Sequence, residues 1–180
     1  MSRRTDTRDP RSARLAALRV LHAADVRQVD LLDVLQEELE RAADVADDEL
    51  SGATLDRFAV TLLHGLGATL PELDERISRT ARGWRVGRMP VVDRNVLRLA
   101  VHELLTESTP VAVVMDEAVR MATELSTDDS GRYVNGVLVA VVKELGRDVD
   151  GGATAVGGPV EVPIDAPAEE ESPPSPPNEV

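Results

Sequence analysis

The sequence contains no cysteine, which excludes a thiolate nucleophile, a disulfide framework and a cysteine-ligated zinc or iron–sulfur site. Its three histidines, His22, His64 and His102, are far apart. None has a second ligand four residues on, so each reads as a helix-face residue and no metal site is expected. Gly65-Leu66-Gly67 lacks the strand before it, and the glycine and lysine after it, that a phosphate-binding loop requires. Acidic runs such as Glu37-Glu38 and Asp47-Asp48-Glu49 fall in polar faces and loops, where solvation explains them. A working carboxylate pair needs surroundings that drive two pKa values apart, and no such pattern is visible. The expectation is a non-enzymatic protein with no catalytic residue and no cofactor.

Binding chemistry is better represented. Arg3, Arg4, Arg8, Arg11 and Arg14 crowd the amino end. A guanidinium is a planar fork of donors that matches phosphate oxygens and guanine edges and stacks on bases. The chain-wide preference for arginine, nineteen against the single Lys143, dilutes that signal, and a solvated, frayed terminus is the competing explanation. A second place is Thr127 to Gly136. There Ser130 or Asp129 can cap a helix whose first turn carries Arg132 and Tyr133, and helix N-termini attract anions. Tyr133 offers a face to a base and an aspartate can accept from a base amino group. An equally coherent reading makes Asp129 only a cap and packs Tyr133 on the core.

The elements that must position these residues are helical. With 180 residues and aromatics limited to Phe58, Trp84 and Tyr133, one domain with a core of Leu, Val and Ala is expected. A first helix begins near Pro10, with Leu15, Leu18, His22 and Val26 on one side. Leu31, Val34, Leu35 and Leu39 form a second, with Asp30 as its cap. Leu55, Phe58, Ala59, Leu62, Leu63 and Leu66 form a third, capped by Thr54. Gly65, Gly67 and Pro71 predict a kink or break before Leu73 and Ile77. Val92 to Leu105 is apolar around much of its circumference and reads as a central helix. Pro110 opens the next helix, and a last one runs from Val134 to Leu145 and ends near Gly146. The fold class is all-α with six or seven helices.

Charge divides the chain into three parts. Residues 1–27 hold seven arginines against three aspartates, 28–147 hold 13 bases and 22 acids, and 148–180 hold eight acids and no base. The expected organisation is an Arg-rich amino terminus over 1–9, a helical domain over 10–147 and a disordered acidic Pro/Gly-rich tail over 148–180. No apolar run approaches the ~20 residues of a membrane span. The amino terminus lacks the apolar core of a secretory signal, and Asp6 and Asp9 argue against a transit peptide. A cytoplasmic location without membrane contact is expected.

Three segments in order carry a family resemblance. Asp128-Asp-Ser-Gly-Arg-Tyr-Val-Asn-Gly-Val-Leu138 resembles the terminal-helix signature of the NusB family of transcription antitermination factors, where Phe usually replaces Tyr133. Pro110 followed by Met115-Asp-Glu-Ala-Val119 resembles the family's proline and Ile-Asn-Glu-Ala-Val segment. Asp93 to Leu104 is similar to its central helix, where Tyr commonly replaces His102. The resemblance implies two small helical bundles packed together, without catalytic activity. It implies binding of boxA RNA from ribosomal RNA leaders with the ribosomal protein NusE, in an RNA polymerase complex with other Nus factors that suppresses termination.

By the same resemblance, Arg11 and Arg14, with Arg3, Arg4 and Arg8, are the RNA-contacting arginines, joined by Asp129, Arg132 and Tyr133. His22, where the family often has Tyr, and Asp93 match partner-contacting positions. Homodimers also occur in the family. The alternatives are a helical protein-interaction scaffold, or an in-trans module of a system that modifies ribosomal RNA, since some ribosomal RNA cytosine methyltransferases carry a similar helical module.

Overall fold

Proline and aspartate set where the helices begin. Pro10 occupies the first turn of α1 (Pro10–Arg27), where its missing N–H costs nothing, and Asp9 accepts a hydrogen bond from the Arg11 amide. Asp30 accepts from the Leu32 amide at 2.7 Å and starts α2 (Leu31–Val45), as expected. Asp56, accepting from Ala59 at 2.7 Å, caps α3 (Arg57–Thr80). The expected cap, Thr54, lies outside the described residues. Pro90 and Pro110 precede α4 (Val91–Thr106) and α5 (Val111–Leu125), and α6 (Ser130–Glu144) closes the series. A 3-10 turn, Val86–Arg88, leads into α4. This computed structural model describes residues 9–45, 55–81, 86–107 and 109–147, and among them no strand occurs.

The first three helices pack on one another and the last three do the same, giving two small bundles. α1 and α3 both lie against α4, which joins the halves and also touches α5 and α6. Buried Leu, Val and Ala side chains form one continuous core, with Met89, Met115, Met121 and Ile77 among them. The chain therefore has the all-α fold that its periodicities predict. The acidic tail and Arg3, Arg4 and Arg8 lie outside the described residues.

Two expectations fail for identifiable reasons. Of the kink or break expected near Gly65, Gly67 and Pro71, the break does not occur: α3 runs for 24 residues with Pro71 inside it. Its glycines serve close approach instead. A Cβ on Gly65 would sit 2.5 Å from Cε1 and Nε2 of His102 on α4. The second failure concerns α1, whose buried face carries Ala13, Arg14, Ala17, Leu18, Leu21 and Ala24. His22 and Val26, expected on that face, are exposed, Val26 by 58%. Small alanines let α1 approach α3 and α4 closely beside Leu18 and Leu21, so Leu15 is only partly buried and His22 and Val26 are left outside.

Gly65→Ala is expected to destabilise by about 1–3 kcal/mol, because the His102 ring is held between helices and must be displaced. Gly136→Ala, on a helix position with nothing within 4 Å of the added Cβ, is expected to stabilise by about 0.5–1 kcal/mol. Urea unfolding of both variants checks the contrast. Burial also pushes the His102 imidazole below its ordinary 6.5, with neighbouring Glu103 opposing it. The unfolded chain therefore takes up this proton first as pH falls. The contribution of the neutral ring is intact at neutral pH and is lost as pH drops from the unfolded value towards the lower folded one. The urea midpoint should fall between pH 7.5 and 5.5, and fall less in His102→Gln.

Candidate nucleic-acid and partner interface

Arg11 links the beginning of α1 to the end of α5. Its guanidinium meets Glu117 at 3.1 Å and Glu124 at 2.6 Å. Only Ser126 to Asp129 separate α5 from α6, so the start of α1 and the first turn of α6 occupy the same end of the molecule. Asp129 and Arg132 are exposed there. Arg11 is itself half-buried and already balanced by two carboxylates, whereas Arg132 and Arg19 present exposed guanidinium groups. The geometry thus brings together Arg11, Asp129, Arg132 and Tyr133 from the predicted set.

Inside that end, the signature segment works as a lock between helices. Ser130 does not cap α6 in the expected way, and Asp129 makes no capping hydrogen bond from its side chain. The Ser130 hydroxyl instead donates to Asp93 Oδ2 at 2.9 Å, tying the start of α6 to the start of α4, and accepts from the Thr127 amide at 3.1 Å. Asp93 is only 2% exposed, so its place is an interhelix tie rather than the partner surface the family match implied. Tyr133 is half-buried with its hydroxyl inside the protein. Burial, and then the charge of Asp93, push that hydroxyl up to about 12, leaving only part of the ring available to a base. A Cβ on Gly131 would fall too close to Thr123 Oγ1 on α5, so a larger residue there needs that side chain to turn away.

Arg14 is placed differently from the other arginines. It is 3% exposed, and its Nε and Nη2 donate to the two oxygens of Glu103 at 2.8 and 2.7 Å. Thr109 donates to the same carboxylate at 2.8 Å, and the guanidinium lies 5.4 Å from the centre of the Phe58 ring. The predicted RNA contact is thus an internal ion pair. The sequence held the signal, since Arg14 stands three, four and seven residues before Ala17, Leu18 and Leu21, on the stripe that becomes the buried face. Clustering with exposed arginines hid it.

His22 does lie on a candidate surface. It lines a groove of about 600 Å³ together with Leu15, Leu18, Arg19, Val92 and Leu125. Beyond it, Asp25 receives Arg94 at 2.5 and 2.9 Å, with Asn95 at 2.9 Å. Burial pushes the Asp25 carboxyl up, but Arg94, Arg98 and Asn95 outweigh it and hold it below the usual range. Arg98 also grips Asp74 of α3 through two bonds of 2.7 Å. These contacts fix the angle of α1 on α4, and with it the shape of the groove.

Arg14→Gln strands a buried carboxylate and is expected to cost about 3–5 kcal/mol. Any loss of binding in that variant should track the unfolded fraction measured by circular dichroism. A folded Arg14→Gln protein with selectively weakened RNA binding would contradict its internal role.

Among the described residues no group of three or more His, Asp or Glu is placed to hold a metal ion, and no described helix is long and apolar enough to cross a membrane. The NusB family model matches residues 11–143. The transcription antitermination protein NusB of Leifsonia xyli subsp. xyli is 43% identical over 137 residues, covering 76% of this chain and 92% of the relative. That of Salinispora arenicola is 43% identical over 138 residues, covering 76% of this chain and 97% of the relative. Among solved structures, T. maritima NusB shares 36% identity with a TM-score of 0.64, covering 76% of this chain and 92% of that one. A chain from the crystal structure of antitermination factors NusB and NusE in complex with dsRNA shares 26% identity with a TM-score of 0.61, covering 75% and 96%. The match spans every helix from α1 to α6, and the chain belongs to the NusB family.

Proposed function

We propose that this protein is an RNA-binding transcription antitermination factor that engages boxA-type leader RNA together with NusE. The observation that carries the reading is its likeness, across the whole folded body, to a chain in a complex of NusB, NusE and RNA. The RNA face is the end where Arg11, Asp129, Arg132 and the exposed part of Tyr133 meet, extended by Arg3, Arg4 and Arg8. Arg14 supports that face from inside by holding α1 on α4. The partner face is the groove of His22, Arg19 and Leu125, beside which Asp93 acts only as a tie.

Charge gives the physical reason for two ligands. Residues 28–147 carry a net excess of nine acids, and affinity for single-stranded RNA depends on neutralising phosphates. With Arg14 committed internally, the amino-terminal arginines Arg3, Arg4, Arg8 and Arg11 supply roughly three to four phosphate contacts, for a log–log salt slope of about −2 to −3. The acidic body suits a basic ribosomal protein, whose charge steers encounter and fixes orientation. The partner then completes a positive surface that neither protein has alone, and bases on an unpaired strand are read by stacking and edge contacts.

Titration of boxA RNA with this protein alone, and again with NusE present, tests the reading. Affinity is expected to rise at least tenfold with the partner, and Arg132→Gln to lower it about three- to tenfold in both settings by removing a phosphate contact. Equal affinities with and without NusE would overturn joint binding. Retention of full affinity in a variant lacking Arg11 and Arg132 would remove this end as the RNA face, and no RNA binding in either setting would leave a protein-only scaffold.

A further inference from the structure

The groove between α1, the start of α4 and the end of α5 has aliphatic walls, Leu15, Leu18, Val92 and Leu125, and a polar rim of Arg19 and His22. It is open to solvent along the described residues, with Leu125 47% exposed and Val26, further along the same side of α1, 58% exposed. The 33 residues after Arg147 carry eight carboxylates and no basic group. Within them, Pro159-Val-Glu-Val-Pro-Ile-Asp165 alternates aliphatic and acidic or proline residues. We propose that this segment of the same chain docks in the groove, with Val160, Val162 and Ile164 on the aliphatic walls and Glu161 and Asp165 towards Arg19.

Four considerations select this occupant. An extended segment puts alternate side chains on one face, so the three aliphatics can enter together while the acids stay at the rim. Pro159 and Pro163 favour extended backbone, which lowers the entropy lost on docking. Charge favours the groove over much of the surface: exposed Arg19 stands on its rim, whereas residues 28–147 are net negative and repel an acidic strand. Reach is sufficient. Arg147 donates to the Leu104 carbonyl, so the chain leaves near the far end of α4, about 24 Å of helix from its start. The thirteen residue steps from Arg147 to Val160 extend up to about 43 Å.

The family model ends at residue 143, and the Salinispora relative is matched over 97% of its length. Docking by the tail is therefore a property of this chain, beyond the body it shares with that relative. If the groove is also the NusE face, which rests on the function proposed above, the tail competes with that partner. A tethered segment acts at an effective concentration on the order of mM. With an intrinsic Kd on the order of 0.1 mM, it weakens a competing ligand about tenfold.

Because the chain has no cysteine, Ala166→Cys carries one nitroxide label in the full-length protein. The amide signals of Leu15, Arg19, His22 and Leu125 are expected to broaden, and those of Glu37 to Arg41 on α2 to stay sharp. Adding Val162→Asp and Ile164→Asp should abolish the broadening. Uniform weak broadening on both faces, or broadening that survives those substitutions, overturns the proposal. So does broadening found only when labelled and isotope-enriched molecules are different copies, which would make the occupant a second copy. NusE is then titrated into both full-length forms, with about tenfold tighter binding expected for the doubly substituted tail. Docking with no difference in NusE affinity leaves the tail contact intact and removes the groove from the partner face.

Discussion

The charged groups on α4 find most of their partners inside the protein, because α4 lies between α1, α3, α5 and α6 and most of its residues are buried. An unmatched buried carboxylate or guanidinium costs several kcal/mol. The pairs on α4 therefore decide how the other helices sit. Asp93 holds the start of α6 through Ser130, and Arg94 and Asn95 hold Asp25 of α1. Arg98 holds Asp74 of α3, and Glu103 holds Arg14 of α1 together with Thr109 before α5. Hydrophobic burial supplies most of the stabilisation, but it is non-directional. The ion pairs add direction, since a bidentate guanidinium–carboxylate fork tolerates little rotation.

That arrangement connects the interior to the surface. α1 is held at both ends of α4, by Glu103 towards one end and by Arg94 near the other. Its outer stripe, with Leu15, Arg19 and His22, is thereby fixed against Val92 and Leu125. The same clamp sets Arg11 beside Glu117 and Glu124, next to the turn that leads into Arg132. Surface residues at this end owe their spacing to buried pairs and so move as a unit with them.

Much of this was readable in the sequence, and the exceptions share a cause. Helix positions followed from 3.6-residue periodicity, proline placement and aspartate caps, all of which act locally. The unbroken α3 was not readable, because Gly65 answers to the His102 ring on another helix and not to the backbone of its own. α1 misled for the same reason. Its buried stripe mixes alanines and one arginine with Leu18 and Leu21, and the arginine is favourable there only because of a carboxylate on α4. In the terminal signature, Ser130 looked like a cap and Asp93 like a surface acid, yet each is explained by the other at 2.9 Å. Residues whose partners are distant in sequence carry no local mark of their role.

The split between buried and exposed arginines bears on how such a protein handles RNA. Arg14, Arg94 and Arg98 are committed to internal carboxylates, so their charge is neutralised before any phosphate approaches. Arg11 is half committed, and the gain from a phosphate there is reduced by the loss of Glu117 and Glu124. Counting arginines therefore overstates the electrostatic attraction of the folded body. At this end of the body, what remains are the exposed Arg132 and Arg19 on a net acidic surface. A surface of that kind binds RNA weakly through phosphates alone, and specificity then depends on base contacts and on a second, more basic protein sharing the strand.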